Sequence, residues 1–194
     1  MKKIPTAFLR DWDGNPKYVT REPNPECAWV FAGEGQATRK YDGTCVLYDD
    51  VRWWARREVK PGKPLPVNYL LAEIDQTTGK RMGWEPIEQS SFAKFHAEAW
   101  ADPFGIAYDG PRAEHPPIGT YELVGPKINR DPEKLGCHLL VKHGYMSAGD
   151  LEAVGSLPLD RDGLAAWLHA HDWEGIVWHH PDGRMAKIKS KDFP

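Results

Sequence analysis

The 194-residue chain has no run of about 18 apolar residues, the length a helix needs to cross a bilayer, so no membrane span is expected. Its opening, MKKIPTAFLRDWDGNP, follows two lysines with no long apolar stretch, so a secretory signal is not expected there. Cysteine is scarce: Cys27, Cys45 and Cys137 are an odd count at scattered positions. Neither a disulfide framework nor a paired-cysteine zinc site is expected, and a reducing, cytoplasmic setting is. A basic excess is missing too, with 25 Lys+Arg against 28 Asp+Glu and a net charge of −3, which argues against a histone-like binder. Core material is plentiful. Hydrophobic residues make up 41% and there are nine Trp, enough to exclude a largely disordered chain.

Charge is segregated along this near-neutral chain. Arg52 to Lys63 (RWWARREVKPGK) holds five basic residues and one acidic one, and Arg184 to Lys191 (RMAKIKSK) holds four basic and none acidic. A solvated face is the simplest reading of either run. Trp53 and Trp54 tilt the first run toward nucleic acid, because rings interleaved with arginine suit base and backbone contacts, although tryptophan is more often core.

Short runs rich in Val, Tyr, Trp and Ile, bounded by Gly, Pro, Asn or Asp, predict strands at Ala28–Phe31, Thr44–Tyr48, Gly119–Val124, His138–Lys142 and Gly175–His179. Two segments have helical spacing. Ser91–Trp100 aligns Phe92, Phe95, Ala99 and Trp100 after a Ser-Ser start, and Asp162–His171 aligns Leu164, Trp167 and Leu168 behind Asp160 or Asp162. Pro61–Pro64 and Glu114–Pro117 read as loops. With no repeat and no linker in the sequence, the expected fold class is one α+β domain, residues 1–194, dominated by antiparallel strands.

The clearest local signal is EGIVWHHPDGRMAKIK, Glu174 to Lys189. Asp182-Gly183 between two strand-like runs suggests a two-residue turn. Pairing Pro181 with Arg184 then sets Trp178 opposite Lys187 and Ile176 opposite Lys189. Alternation along the strands would gather Glu174, Lys187 and Lys189 on one face, whereas a three-residue turn would put the lysines on the opposite face from Glu174.

A second signal is Thr38-Arg39-Lys40-Tyr41-Asp42-Gly43. A lysine attacks phosphorus only as the neutral amine, and its ordinary pKa is about 10.4. Two neighbouring lysines and partial burial would lower that value, which makes Lys40 a candidate nucleophile. Asp42, two residues on, could hold a metal ion that polarises the phosphate.

Taken in order, these segments resemble the covalent nucleotidyltransferase superfamily of ATP-dependent polynucleotide ligases and mRNA capping enzymes. Lys40-Tyr41-Asp42-Gly43 resembles motif I, with Lys40 as the adenylated lysine; Arg56 or Arg57 resembles the arginine that follows it. Tyr121-Glu122-Leu123-Val124-Gly125 resembles motif III and His138-Leu139-Leu140-Val141 motif IIIa. Glu174-Gly175-Ile176-Val177 resembles motif IV, and Lys187-Ile188-Lys189 motif V. The match runs from residue 38 to 189, about four-fifths of the chain, and the wording is closest to RNA ligases of the type 5 branch. Thr44 stands where DNA ligases usually carry arginine, Arg39 where several RNA ligases carry an acid, and motif IIIa lacks an obvious Phe.

The resemblance implies a ligase/capping-enzyme, ATP-grasp-like nucleotidyltransferase domain of antiparallel sheets flanked by helices, with no separate OB or C-terminal domain. It implies an ATP-dependent RNA ligase that joins 3′-OH and 5′-phosphate ends through lysyl-AMP on Lys40, as in RNA repair. Lys187 and Lys189 would neutralise phosphate charge. Nucleotide contacts would come from Thr38, Arg39, Asp42, Gly43, Arg57, Glu122, His138, Leu140, Glu174 and Val177, and RNA contacts from Arg56 and Lys60. Asp42, Glu122 and Glu174 would hold Mg²⁺ or Mn²⁺, through water. RNA ends or nicks are the expected partner, bound weakly unless a protein partner supplies further RNA-binding surface; no membrane is expected. Other readings are a guanylyltransferase, a DNA ligase, or a nucleotide- or RNA-binding module without turnover. His169 and His171, and His179 and His180, have spacings unsuited to one metal, so a structural zinc site is not expected.

Overall fold

A computed structural model describes residues 4–110 and 115–194. Glu114, at the start of the second expected loop, lies outside the described residues. In chain order the strands are β1 (Phe8–Arg10), β2 (Val19–Pro23), β3 (Gln36–Lys40), β4 (Thr44–Tyr48), β5 (Trp53–Val59), β6 (Leu70–Ile74), β7 (Arg81–Pro86), β8 (Ile106–Ala107), β9 (Gly119–Val124), β10 (Leu139–Lys142), β11 (Gly175–His179) and β12 (Met185–Lys189). The helices are α1 (Ala28–Phe31), α2 (Ala93–Ala101), α3 (Ala148–Val154) and α4 (Arg161–His171). Every pairing between these strands but one is antiparallel, β8 with β10 being parallel. The protein is α+β. No helix among the described residues is long and apolar enough to cross a membrane.

The chain divides into two compact units, one of Asp42–Tyr145 and one of the segments before and after it. The flanking segments build a three-stranded sheet in the order β12-β11-β3. Its strands alternate: Ile176, Trp178, Ala186 and Ile188 are buried, while Val177, His179, Lys187 and Lys189 stand on the other side. Leu164, Trp167 and Leu168 of α4 complete this core with Phe8, Trp29, Val30 and Trp173. Helix α4 starts at Arg161, one residue ahead of the expected segment, because Asp160 rather than Asp162 is its cap: the Asp160 carboxylate accepts the Gly163 N–H at 2.8 Å.

Asp42–Tyr145 forms a seven-stranded sheet in the order β6-β7-β5-β4-β9-β10-β8. One face packs Val46, Tyr48, Trp53, Ala55, Tyr121, Leu123 and Leu140 against Phe92, Phe95 and Ala99 at α2. The opposite face carries the alternate residues Cys45 and Glu122, which are direct cross-strand partners.

Two expectations need correction. Ala28–Phe31 is helical, not a strand: Asn24 caps a turn that begins at Pro25, and the consecutive residues Trp29 and Val30 are both buried, which an alternating strand does not allow. Trp53 and Trp54 are core residues and are not free to stack on bases. Trp53 packs among Tyr48, His96 and Tyr121, and Trp54 donates its indole N–H to Asp49 at 2.7 Å. The remainder of that basic run, through Val59, continues as β5.

Candidate active site

The Glu174–Lys189 hairpin has a three-residue turn, so the two-residue register is wrong by one. His180 donates its N–H to Arg184 O at 2.9 Å, and Pro181-Asp182-Gly183 form the loop. Gly183 takes φ +90, the conformation that a three-residue hairpin loop requires of its last residue. Lys187 therefore lies opposite Val177, and Lys189 opposite Gly175. On the other side of β11, Lys40 pairs with Gly175 and Thr38 with Val177. The three lysines share one sheet face in consequence, brought there from both strands that flank β11.

Glu174 joins them although the hairpin register alone would turn it away. It precedes β11, and its backbone carbonyl accepts the Ser190 N–H at 2.8 Å. From there its carboxylate bridges two lysines: Oε2 is ion-paired with Lys40 Nζ, and Oε1 accepts from Lys189 Nζ at 2.6 Å. Gly175 makes the room, since a Cβ there would lie 2.2 Å from Ile188 O. Lys187 stands on the same face, and burial, then Lys189 and Lys40, lower its pKa to about 8. Its backbone is pinned, its N–H to Pro5 O at 2.9 Å and its carbonyl to Ala7 N at 2.8 Å. The face thus holds three cations around one carboxylate, suited to a polyanionic ligand.

Neighbouring assigned residues are held firmly. Thr38 is buried and donates to Val177 O at 3.1 Å. Arg39 lies on the core side of β3 beside the Tyr41 and Trp173 rings, 3.5 Å from Asp150. Tyr41 donates its hydroxyl to the same Asp150 at 3.1 Å. Asp150 also closes the capping box of α3 with Ser147. Sequence reasoning misses Asp150 and Trp173, whose isolated positions give no motif by which to find them, and passes over Tyr41 although it stands inside the Lys40-Tyr41-Asp42-Gly43 motif.

In the Asp42–Tyr145 unit the turn after Tyr41 is fixed by side chains. Asp42 N–H donates to Glu133 at 2.9 Å and Gly43 N–H to Glu122 Oε1 at 3.1 Å. Asn129 donates to both Asp42 Oδ1 and Gly43 O, at 2.9 and 2.8 Å. Glu122 Oε2 lies 3.0 Å from His143 Nε2. Arg56 alternates onto the Glu122 face of the sheet. Arg57 takes the other face, 3.9 Å from Glu85, and Lys60 is exposed beyond the end of β5. His138 stacks on Phe95 and pairs with Glu98 at 2.7 Å, while Leu140 is fully buried in the α2 core, so both stand on the face opposite Glu122. Sequence spacing misses Asn129, Glu133 and His143, because loops and non-adjacent strands assemble them.

A family model described as RNA ligase 1 matches residues 117–193, a span that holds Glu122, Glu174, Lys187 and Lys189. RNA ligase 1 of Rattus norvegicus is 30% identical over 211 residues, covering 91% of this chain and 63% of that protein. By sequence, the chain is similar to the RNA ligase 1 family. RNA ligase 1 of Mus musculus matches at the same identity and coverage, and that of Pongo abelii at 26% over 222 residues, 95% of this chain and 65% of that protein. The chain spans somewhat under two thirds of the length of these RNA ligase 1 relatives.

Proposed function

We propose that the protein is an ATP-dependent RNA ligase with a nucleotidyltransferase fold, and that Lys40 is its nucleophile. The observation that carries the reading is the convergence of Lys40, Lys187 and Lys189 on one sheet face with a single carboxylate, Glu174, among them. Lys40 Nζ, after losing a proton, forms a bond to the α-phosphorus of ATP while the α–β anhydride breaks and pyrophosphate leaves. The phosphoramidate bond then breaks as an RNA 5′-phosphate takes the AMP, and a 3′-OH attacks that phosphate to expel AMP and close the strand. Lys187 and Lys189 neutralise phosphate oxygens during these steps. Glu174 orients Lys40 until the phosphates arrive and draw the cations to themselves.

Asp42 and Glu122 in the Asp42–Tyr145 unit, and Glu174 in the other, are each the kind of ligand that suits a hydrated Mg²⁺ or Mn²⁺. They are hard oxygen donors already engaged by Asn129, the Gly43 N–H and the two lysines, which favours contact through the waters of the ion. Such an ion supplies charge neutralisation at the phosphates. Arg56, on the Glu122 face, serves the phosphates or the RNA backbone.

The test is label transfer from ATP carrying radiolabel at the α-phosphate, with Mn²⁺ present. Wild type becomes labelled, Lys40→Ala does not, and GTP gives no label; RNA nicks are then sealed faster than DNA nicks. Equal and absent labelling of wild type and Lys40→Ala sinks the covalent mechanism.

A further inference from the structure

The Asp42–Tyr145 unit carries a cluster that shares Glu122 with the acids proposed for Mg²⁺ and adds to it a thiol and an imidazole, a different donor chemistry. Cys45 on β4 and Glu122 on β9 stand side by side as cross-strand partners. His143 follows β10, the strand on the other flank of β9, and its N–H donates to Thr120 O at 3.0 Å. The thiol sulfur, one carboxylate oxygen and one imidazole nitrogen all lie within 4.8 Å of one another.

We propose that Cys45, Glu122 and His143 form a binding site for a zinc-class divalent cation. Proximity is only the first ground. The His143 ring is anchored at both ends, with Nδ1 2.8 Å from Thr120 Oγ1 and Nε2 3.0 Å from Glu122 Oε2. An imidazole held through one nitrogen and aimed through the other is the arrangement that metal-binding histidines need. The Glu122 carboxylate is equally constrained, because the Gly43 N–H holds Oε1 and leaves Oε2 directed at the ring. In the metal-bound form the neutral ring carries its one proton on Nδ1, donated to Thr120 Oγ1, so that Nε2 and Oε2 both face the cation, and the thiol gives up its proton to solvent as the sulfur–metal bond forms.

The donor set selects the ion. One sulfur, one nitrogen and one oxygen form a borderline-soft set that suits Zn²⁺ or Co²⁺, whereas Mg²⁺ takes oxygen almost alone. Three protein ligands leave a fourth tetrahedral position for water. The His143 side chain is 34% exposed and that of Glu122 13%, so an ion can enter without unfolding the sheet.

The experiment is a Co²⁺ titration of the full chain without nucleotide or RNA, so its outcome is independent of the ligase reading. One equivalent binds, producing a thiolate-to-cobalt charge-transfer band and the visible bands of a tetrahedral ion, and Zn²⁺ bleaches both. Cys45→Ser abolishes the charge-transfer band, and His143→Gln weakens Co²⁺ binding by at least about tenfold. Cys137→Ser, which alters the exposed cysteine, leaves the spectrum unchanged. Each variant is checked by circular dichroism. Should one unfold, X-ray absorption of the Co²⁺-loaded wild type reports a single sulfur in the coordination shell. A band that survives Cys45→Ser, a band lost in Cys137→Ser, or a shell of oxygens alone overturns the proposal.

Discussion

Lys40 is ion-paired with Glu174, 134 residues further along the chain, and the second oxygen of the same carboxylate is taken by Lys189. The pair joins β3 to the residue before β11 on a face where three ammonium groups gather. One carboxylate therefore balances a cationic cluster that would otherwise repel itself, and it does so in a partly buried setting.

Glu174→Gln removes that balance while keeping the shape. Its side chain is 11% exposed, so the two lysines are left uncompensated near low-dielectric surroundings, at a cost of about 2 kcal/mol in unfolding free energy. Urea denaturation measures it. Adding Lys189→Met to Glu174→Gln costs less than the same change in wild type, because one stranded charge goes with it. A purely additive double mutant would show that the carboxylate and Lys189 are not coupled.

Lys187 supplies a pH dependence. Its pKa is lowered to about 8, by burial first and then by Lys189 and Lys40. In the free protein its charge is present below that value and is lost as the pH rises through it. Nucleotide phosphates then find one cation fewer, so ATP affinity, measured by calorimetry without divalent metal, falls between pH 7 and 9. Lys187→Arg stays charged throughout and flattens the fall. Parallel pH profiles for the two proteins would remove Lys187 from the phosphate site.

Much of this site is legible in the sequence. Motif order alone points to Lys40, Glu174, Lys187 and Lys189, and each stands on or beside the same face. The hairpin turn misleads because Asp182-Gly183 suits a two-residue loop, whereas Pro181 joins the loop and Gly183 supplies its positive φ. Glu174 reaches the lysines by lying ahead of the strand, a placement that no alternation rule gives. Arg56 and Arg57 cannot be told apart by order alone, and only the pleat of β5 sends them to opposite faces. The Ala28–Phe31 helix is hidden because four apolar residues fit either period, and the preceding Asn24-Pro25 decides it. The Cys45–Glu122–His143 cluster leaves no trace in spacing, since three separate parts of the sheet contribute to it.

His96 supplies an expected loss of stability in acid. It is 5% exposed beside Trp53, and burial lowers its pKa to about 4, with Glu88 opposing the shift. The unfolded chain binds the proton near pH 6.5 and the folded protein only near 4, so the stabilisation from keeping His96 neutral is present above 6.5 and lost as pH falls between those values. The loss is roughly 3 kcal/mol by pH 4. In His96→Phe the difference in unfolding free energy between pH 7 and pH 4.5 shrinks by about 2 kcal/mol. An unchanged difference would assign the acid sensitivity to the carboxylates.

Gly175 and Gly183 lie in and beyond the same strand but carry different constraints. At Gly183 the backbone is left-handed, φ +90, with open space where a methyl would project, so Gly183→Ala costs only conformational energy, about 1–2 kcal/mol. At Gly175 a methyl would lie 2.2 Å from Ile188 O and 2.9 Å from Lys189 Cα. Alanine there must push β12 away from β11, and overpacking of this kind costs about 2–3 kcal/mol. The displaced strand is the one that presents Lys189 to Glu174, so Gly175→Ala also slows label transfer from ATP, while Gly183→Ala leaves the rate near wild type once measured well below its unfolding temperature. Comparing the two variants at matched folded fractions separates loss of stability from loss of lysine placement. Equal rates would mean that the reaction tolerates displacement of Lys189, and that its pairing with Glu174 serves the fold alone.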